Sequence, residues 1–270
     1  MARWLRIAVA VALGVCAARG TASAAGPVVL FDEGHGQRFF AGGKGELDLS
    51  GLAAAFRAAG LQVRTNSGAL DARALTGVSA LVISGAFAPL TAAEVEAVHG
   101  FLDGGGRLAL MLHIGQPLQG LLGKMNIQFS RGPIHESDGL IGTRGVDFSV
   151  TRFEPHALTS GLGSLSVFGC WALQTGSPWA TVIARTSPRA WLDSDGDGRF
   201  SPGEPVGAQG MIVAGTQGAG AFAVFGDDAM FQNRFLKAYN TDAAGRLARW
   251  LAGGAPGPAP RRQAPGVIDL

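Results

Sequence analysis

The 270-residue chain is 47% hydrophobic and only 16% charged, with a formal net charge of +2. That balance excludes a strongly charged disordered polymer and leaves no basic patch for nucleic acid. Two cysteines, Cys16 and Cys170, cannot frame a disulfide-stapled scaffold, so stability has to come from a packed core.

The chain begins with Arg3 and Arg6, an apolar run from Ile7 to Ala18, and then Ala22, Ser23 and Ala24. This charged, apolar, small-x-small order predicts a secretory signal peptide over residues 1–24, too short to span a bilayer. Val15, ahead of Cys16, is not the small residue that a lipid-modified cysteine would require. Cleavage after Ala24 is expected, giving a periplasmic or secreted chain without a membrane span. The segment carries Arg3, Arg6 and Arg19 and no acid, so its loss turns the small positive charge slightly negative. Cys170 is then the only cysteine, and within the apolar run Val167–Leu173 it reads as a small buried hydrophobe. Residues 27–252 suffice for one domain with a substantial core. Residues 253–270, rich in Pro, Gly and Ala, read as a disordered tail.

Val28–Phe31 is an apolar run without alternation, the pattern of a strand buried on both faces. It gives way to Asp32, Glu33 and His35 among glycines, and a glycine-rich loop runs on to Gly45. Asp48 or Ser50 can cap a helix carrying Leu49, Leu52 and Phe56, with Gly60 as its stop. Leu61–Arg64 and Leu81–Ile83 read as the next strands. Thr91 with Glu94 three residues on is a capping box, opening a helix with an apolar stripe of Val95, Val98 and Leu102. His99 borders that stripe and reads as a helix-edge residue. Leu108–Leu112 is a fourth strand ending on His113.

Strand–helix–strand alternation with right-handed crossovers predicts an α/β fold with a doubly wound, mostly parallel sheet. Further on, Leu118–Leu122 reads as a short helix, and Leu165–Leu173 and Trp179–Arg185 as strands. Met211–Ala214 and Ala221–Phe225 read as an antiparallel hairpin with a turn of five or six residues within Gly215–Gly220. Thr241 or Asp242 can cap a final helix through Leu247, Trp250 and Leu251.

Residues 193–204 match the twelve-position calcium loop. Asp193, Asp195 and Asp197 hold positions 1, 3 and 5, and Gly198 the bend at position 6. The carbonyl of Arg199 serves position 7, Ser201 position 9 through a water, and Glu204 the bidentate position 12. Oxygen-only ligands favour calcium over zinc. Pro205 and Gly207 cannot start an exit helix, so a structural, EF-hand-like calcium loop is expected rather than a switch.

Ligands bind beyond the carboxyl ends of strands in open α/β sheets. If the parallel reading holds, Asp32, Glu33, His35, His113, Asp227 and Asp228 converge on one edge, with Asn233 nearby. Such a cluster could hold a divalent metal or a water for general-base attack, form a polar ligand pocket, or be a hydrogen-bonded edge. His135, Glu136, Glu154 and His156 lie in variable loops and are expected to be solvated.

The order of Asp32-Glu33-Gly34-His35, Leu81-Val82-Ile83-Ser84-Gly85, the Thr91-capped helix and Gly104–Leu110 resembles the class I glutamine amidotransferase-like superfamily. Pro155–Gly161, Phe225–Asp228 and Asn233 are similar to an exported branch of it. The resemblance spans roughly residues 27–252 and implies a flavodoxin-like, amidotransferase-like sheet. Catalytic members place a Cys nucleophile on the turn after the fourth strand and a His–Glu pair after a late one. Here that turn reads Leu112-His113-Ile114-Gly115, and the late strand ends in Asp227 and Asp228. Without a thiolate there is no acyl-enzyme route, and glutamine amidotransfer is not expected. The leading expectation is an exported, non-catalytic module that binds a small polar ligand or partner protein and carries a structural calcium. The alternative is a metal-assisted hydrolase working through His35, His113 and Asp227.

Overall fold

The computed structural model describes residues 26–113 and 117–253; the signal-peptide and tail expectations, and Ile114 and Gly115 of the strand-four turn, fall outside them. In chain order the first half comprises β1 (Val28–Asp32), α1 (Ser50–Ala58), β2 (Gln62–Asn66), β3 (Ala80–Ser84), α2 (Ala92–Asp103) and β4 (Arg107–Met111). There follow α3 (Gln119–Lys124), β5 (Ile127–His135), β6 (Asp147–Val150), β7 (Arg152–Phe153), β8 (Leu165–Phe168) and β9 (Trp171–Thr175). The last part is β10 (Ala180–Arg185), β11 (Trp191–Leu192), β12 (Gly210–Gln217), β13 (Gly220–Phe225) and α4 (Tyr239–Leu251).

The main sheet has eight strands in the order β2-β1-β3-β4-β13-β12-β10-β7. From β2 to β13 every pairing is parallel; from β13 outward the pairings are antiparallel. Side chains of the parallel strands alternate between two cores, as the period of two demands. Val29, Phe31, Val82, Ala109 and Met111 face one core with Leu52 and Phe56 of α1 and Leu247 and Leu251 of α4. Leu30, Leu81, Ile83, Leu108 and Leu110 face the other, with Val95, Val98 and Leu102 of α2 and Leu121 and Leu122 of α3. Helices therefore cover both faces, which is why these strands lack polar alternation. Phe56 is fully buried, and Phe56→Ala would cost about 3–5 kcal/mol.

The second half departs from expectation. Leu165–Leu173 is not one strand: Gly169, at φ +91°, breaks it into β8 and β9, which join different sheets. β8 pairs with β6, whereas β9 joins β5 and β11 in a three-stranded sheet. The hairpin between β12 and β13 is tighter than expected, since pairing continues to Gln217↔Gly220 and leaves only Gly218 and Ala219 in the turn. Neither Asp48 nor Ser50 caps α1. Asp48 accepts from the Phe40 and Gly45 amides, and the α1 amide of Gly51 donates to Oδ1 of Asn233, 182 residues away. Thr241 and Asp242 lie inside α4, whose N-cap position is Ala238, without a side-chain cap. The Thr91–Glu94 capping box is present as expected. Among the described residues no helix is long and apolar enough to cross a membrane.

Candidate functional site

Register places the ends of the parallel strands together, with Asp32 opposite Ile83, and Met111 opposite both Ser84 and Phe225. The residues just beyond these ends do share one edge, but they divide into separate networks.

The first is built on His35. Nδ1 donates to Oδ2 of Asp32 at 2.8 Å, and Nε2 donates to Oε1 of Glu94 at 3.0 Å. Two carboxylate acceptors require both ring nitrogens to carry protons, so the ring is an imidazolium. The hydrogen bond from Asp32 raises the His35 pKa, against the opposing effect of burial. Gln37 adds a further bond to Asp32 at 2.5 Å, and its Oε1 accepts from the His35 amide. Burial pushes Glu94 upward. Hydrogen bonds from the Thr91 hydroxyl and amide and the Leu70 amide, together with the His35 charge, outweigh it and hold the carboxylate at about 2. His35 thus has no lone pair left for a metal or a substrate proton. Glu33 is also engaged, accepting from the Ala41 amide.

The second network joins the ends of β3, β4 and β13. Nδ1 of His113 lies 2.9 Å from Oδ1 of Asp228, and the ring packs between Phe39 and Phe87. Gly85 has φ +59°, and a Cβ there would sit 2.5 Å from Oδ2 of Asp228, so the β3 turn has to be glycine for that carboxylate to fit. Asp227 points elsewhere, accepting from the Phe168 and Ala229 amides. Burial, then the neighbouring Asp228, raises Asp227 to about 8. Burial also raises Asp228, opposed by its bond to His113. Asn233 is committed to α1 through Ser50 and Gly51, and to the carbonyl of Gly45.

The His113–Asp228 pair has the orienting half of a general-base arrangement. Among the described residues no serine or cysteine side chain is hydrogen-bonded to the His113 ring. Ser84 Oγ is buried and without a hydrogen bond among the described residues. Cys170 is fully buried, and burial followed by the charge of Asp227 raises its thiol well above the ordinary value. The geometry also removes the three-residue metal site: His35, His113 and Asp227 belong to different networks. Among the described residues only Asp193, Asp195 and Asp197 bring three ligand atoms within 4.8 Å of one another.

That acidic loop is folded around its own amides. Asp193 is buried and accepts from Gly196 and Gly198, while Asp195 accepts from Asp197 and Asp197 from Arg199. Glu204 lies outside the three-aspartate cluster and accepts from the Ser194 and Ser201 amides, tying the loop's ends together. Phe200 is exposed and meets Trp191 edge-on, and Trp191 stacks on His135 at 4.2 Å.

No family model matches the chain, and no curated protein matches it. Among solved structures it is similar to the mmIFT52 N-terminal domain, with a TM-score of 0.69 at 19% identity over 84% of this chain and 98% of that one. It is also similar to cytoplasmic protein STM1381 from Salmonella typhimurium LT2, with a TM-score of 0.50 at 13% identity over 83% of this chain and 99% of that one. The likeness is one of fold alone.

Sequence reasoning missed Glu94 as a partner of His35, though its capping role was legible; nothing in a separation of 59 residues signals the contact. It also placed Glu136 and His156 in solvent. Both are buried, Glu136 because it accepts from the amides of Ser137, Asp138 and Ser187 and the Ser187 hydroxyl.

Proposed function

We propose that this chain is an exported, non-catalytic α/β module that binds a small polar ligand or a partner protein at the strand edge around His113. A calcium ion held by residues 193–204 braces it. The observation that carries this reading is the commitment of the edge. Asp32, His35, Asp227 and Asn233 spend their polar atoms on internal bonds and Glu33 holds the Ala41 amide, whereas His113 is only oriented by one bond. A ring fixed by Asp228 and flanked by two phenylalanines offers Nε2 for recognition without a nucleophile to act on what it holds. Strand order and helix placement support a flavodoxin-like, amidotransferase-like scaffold from which the nucleophile is missing. Export rests on the N-terminal charge and hydropathy pattern. Calcium rests on the twelve-residue spacing and on the clustering of Asp193, Asp195 and Asp197.

The test is a chromogenic panel of ester, phosphoester and glycoside substrates, run beside a thermal-shift screen of small polar metabolites. No turnover is expected, and at least one compound should raise the melting temperature of the wild-type chain but not of His113→Ala. Turnover abolished by His113→Gln would overturn the non-catalytic reading. Compounds that shift both proteins equally would remove His113 from the site.

A further inference from the structure

At the opposite end of the sheet lies a cleft of about 660 Å³, a size suited to a small ligand. Its walls come from the end of α2, the end of α3, the β9–β10 loop and the β12–β13 hairpin. The hairpin is docked by its tip: the Ala219 amide donates to the carbonyl of Asp103, and a Cβ at Gly218 would collide with Asp103. This docking brings Gln217 to His99.

The hydrogen bonds then fix the histidine's tautomer. Gln217 Nε2 donates to Oδ1 of Asp103 at 3.3 Å, which identifies that atom as the amide nitrogen. The same nitrogen lies 2.6 Å from Nδ1 of His99, so Nδ1 is the acceptor and Nε2 carries the proton. Burial and the nearby Lys124 charge lower the His99 pKa, in keeping with a neutral ring. His99 Nε2 is buried with no hydrogen-bond partner among the described residues, so the ring shapes the wall of the cleft and holds Gln217 rather than offering a donor to a ligand. Asn126, in the left-handed region at φ 54°, also lines the cleft, and no side-chain bond engages its amide among the described residues. Trp179 lines the same cleft and is 66% exposed, which is unusual for an indole.

We infer that this cleft binds a neutral saccharide, with the Trp179 face stacked against the sugar's C–H face and with Asn126 and Asp103 meeting its hydroxyls. A hydroxyl both donates and accepts, which suits a wall holding an amide, itself donor and acceptor, and a carboxylate. An exposed indole offers a flat apolar platform with a polar rim. Asp103 and Lys124 both line the cleft, so it selects neither an anion nor a cation.

The probes are maltotriose, cellotriose and chitotriose, titrated calorimetrically against the full chain. At least one should bind, and Trp179→Ala should weaken it by about tenfold or more with the melting temperature held within a degree or so, since the side chain is exposed. His113→Ala should leave this binding unchanged, which separates it from the strand-edge site. Failure of all three trisaccharides to bind, or binding that survives Trp179→Ala intact, would overturn the inference.

Discussion

Glu94 shows how much one side chain can be asked to do. Its carboxylate closes the cap of α2 through Thr91, holds the Leu70 amide, and is the second anchor of the His35 imidazolium. Removing one partner of a buried charged network leaves the other uncompensated, so Glu94→Ala should cost about 3–5 kcal/mol in urea denaturation. Glu94→Gln, which keeps the shape and part of the cap, should cost less. Equal, small losses in both would mean that His35 does not depend on this carboxylate. Asn233 makes a similar point: Asn233→Ala should destabilise by about 1 kcal/mol or more by stripping α1 of its cap, read as a lower urea midpoint at unchanged slope. The capping box was legible because Thr91 and Glu94 are three residues apart. The Asn233 cap was not, because the donor and acceptor meet only after the chain has closed.

At the scale of elements, single glycines decide where strands end. Gly169 sits at φ +91° with nothing within 4 Å of a prospective Cβ, so Gly169→Ala should cost only the conformational penalty, about 1–2 kcal/mol. Gly226→Ala should cost more, because its Cβ would meet the Trp171 carbonyl and Cys170 Sγ in a packed interior. Parity between the two would show that the interior around Gly226 yields to an added methyl. The acidic loop is an element of another kind. Calcium at roughly tenfold excess over Kd should stabilise the folded chain by about 1.4 kcal/mol. Stripping with chelator should lower the melting temperature, and calcium should restore it. Asp195→Ala should lose this response at little cost in chelator, whereas Asp193→Ala should destabilise even without metal, since its buried carboxylate holds two amides. A chelator-stripped chain whose melting ignores millimolar calcium would sink the calcium reading.

For the molecule as a whole, the buried ionisable groups set the direction in which stability runs with pH. His35 is raised above 6.5, so its contribution is complete below 6.5 and is lost as pH rises through the folded value. Asp227 is raised from 3.8 to about 8, so its contribution too is lost as pH climbs toward 8. Asp228 runs the same way. His99 and His156, lowered chiefly by burial, contribute fully above 6.5 and do not offset this loss. Glu94 works on the acid side, its contribution present above 4.5 and lost as pH falls toward 2. Urea midpoints should therefore be lower at about pH 8.5 than at about pH 6.5. A flat or rising trend would show that these groups are not held as the structure has them.

What the sequence determined was the part governed by local rules. Apolar runs without alternation announced the parallel strands, Thr91 and Glu94 announced the start of α2, and residues 193–204 announced a clustered acidic turn. The convergence of strand ends on one edge followed from these alone. Tertiary structure decided which of the converging residues act together. His35 found Glu94, His113 found Asp228 rather than Asp227, and Asn233 left the edge to cap a helix. A side chain's partner depends on register, on a glycine turn such as Gly85 and on which face of the sheet it leaves, and none of these is written within a few residues of it.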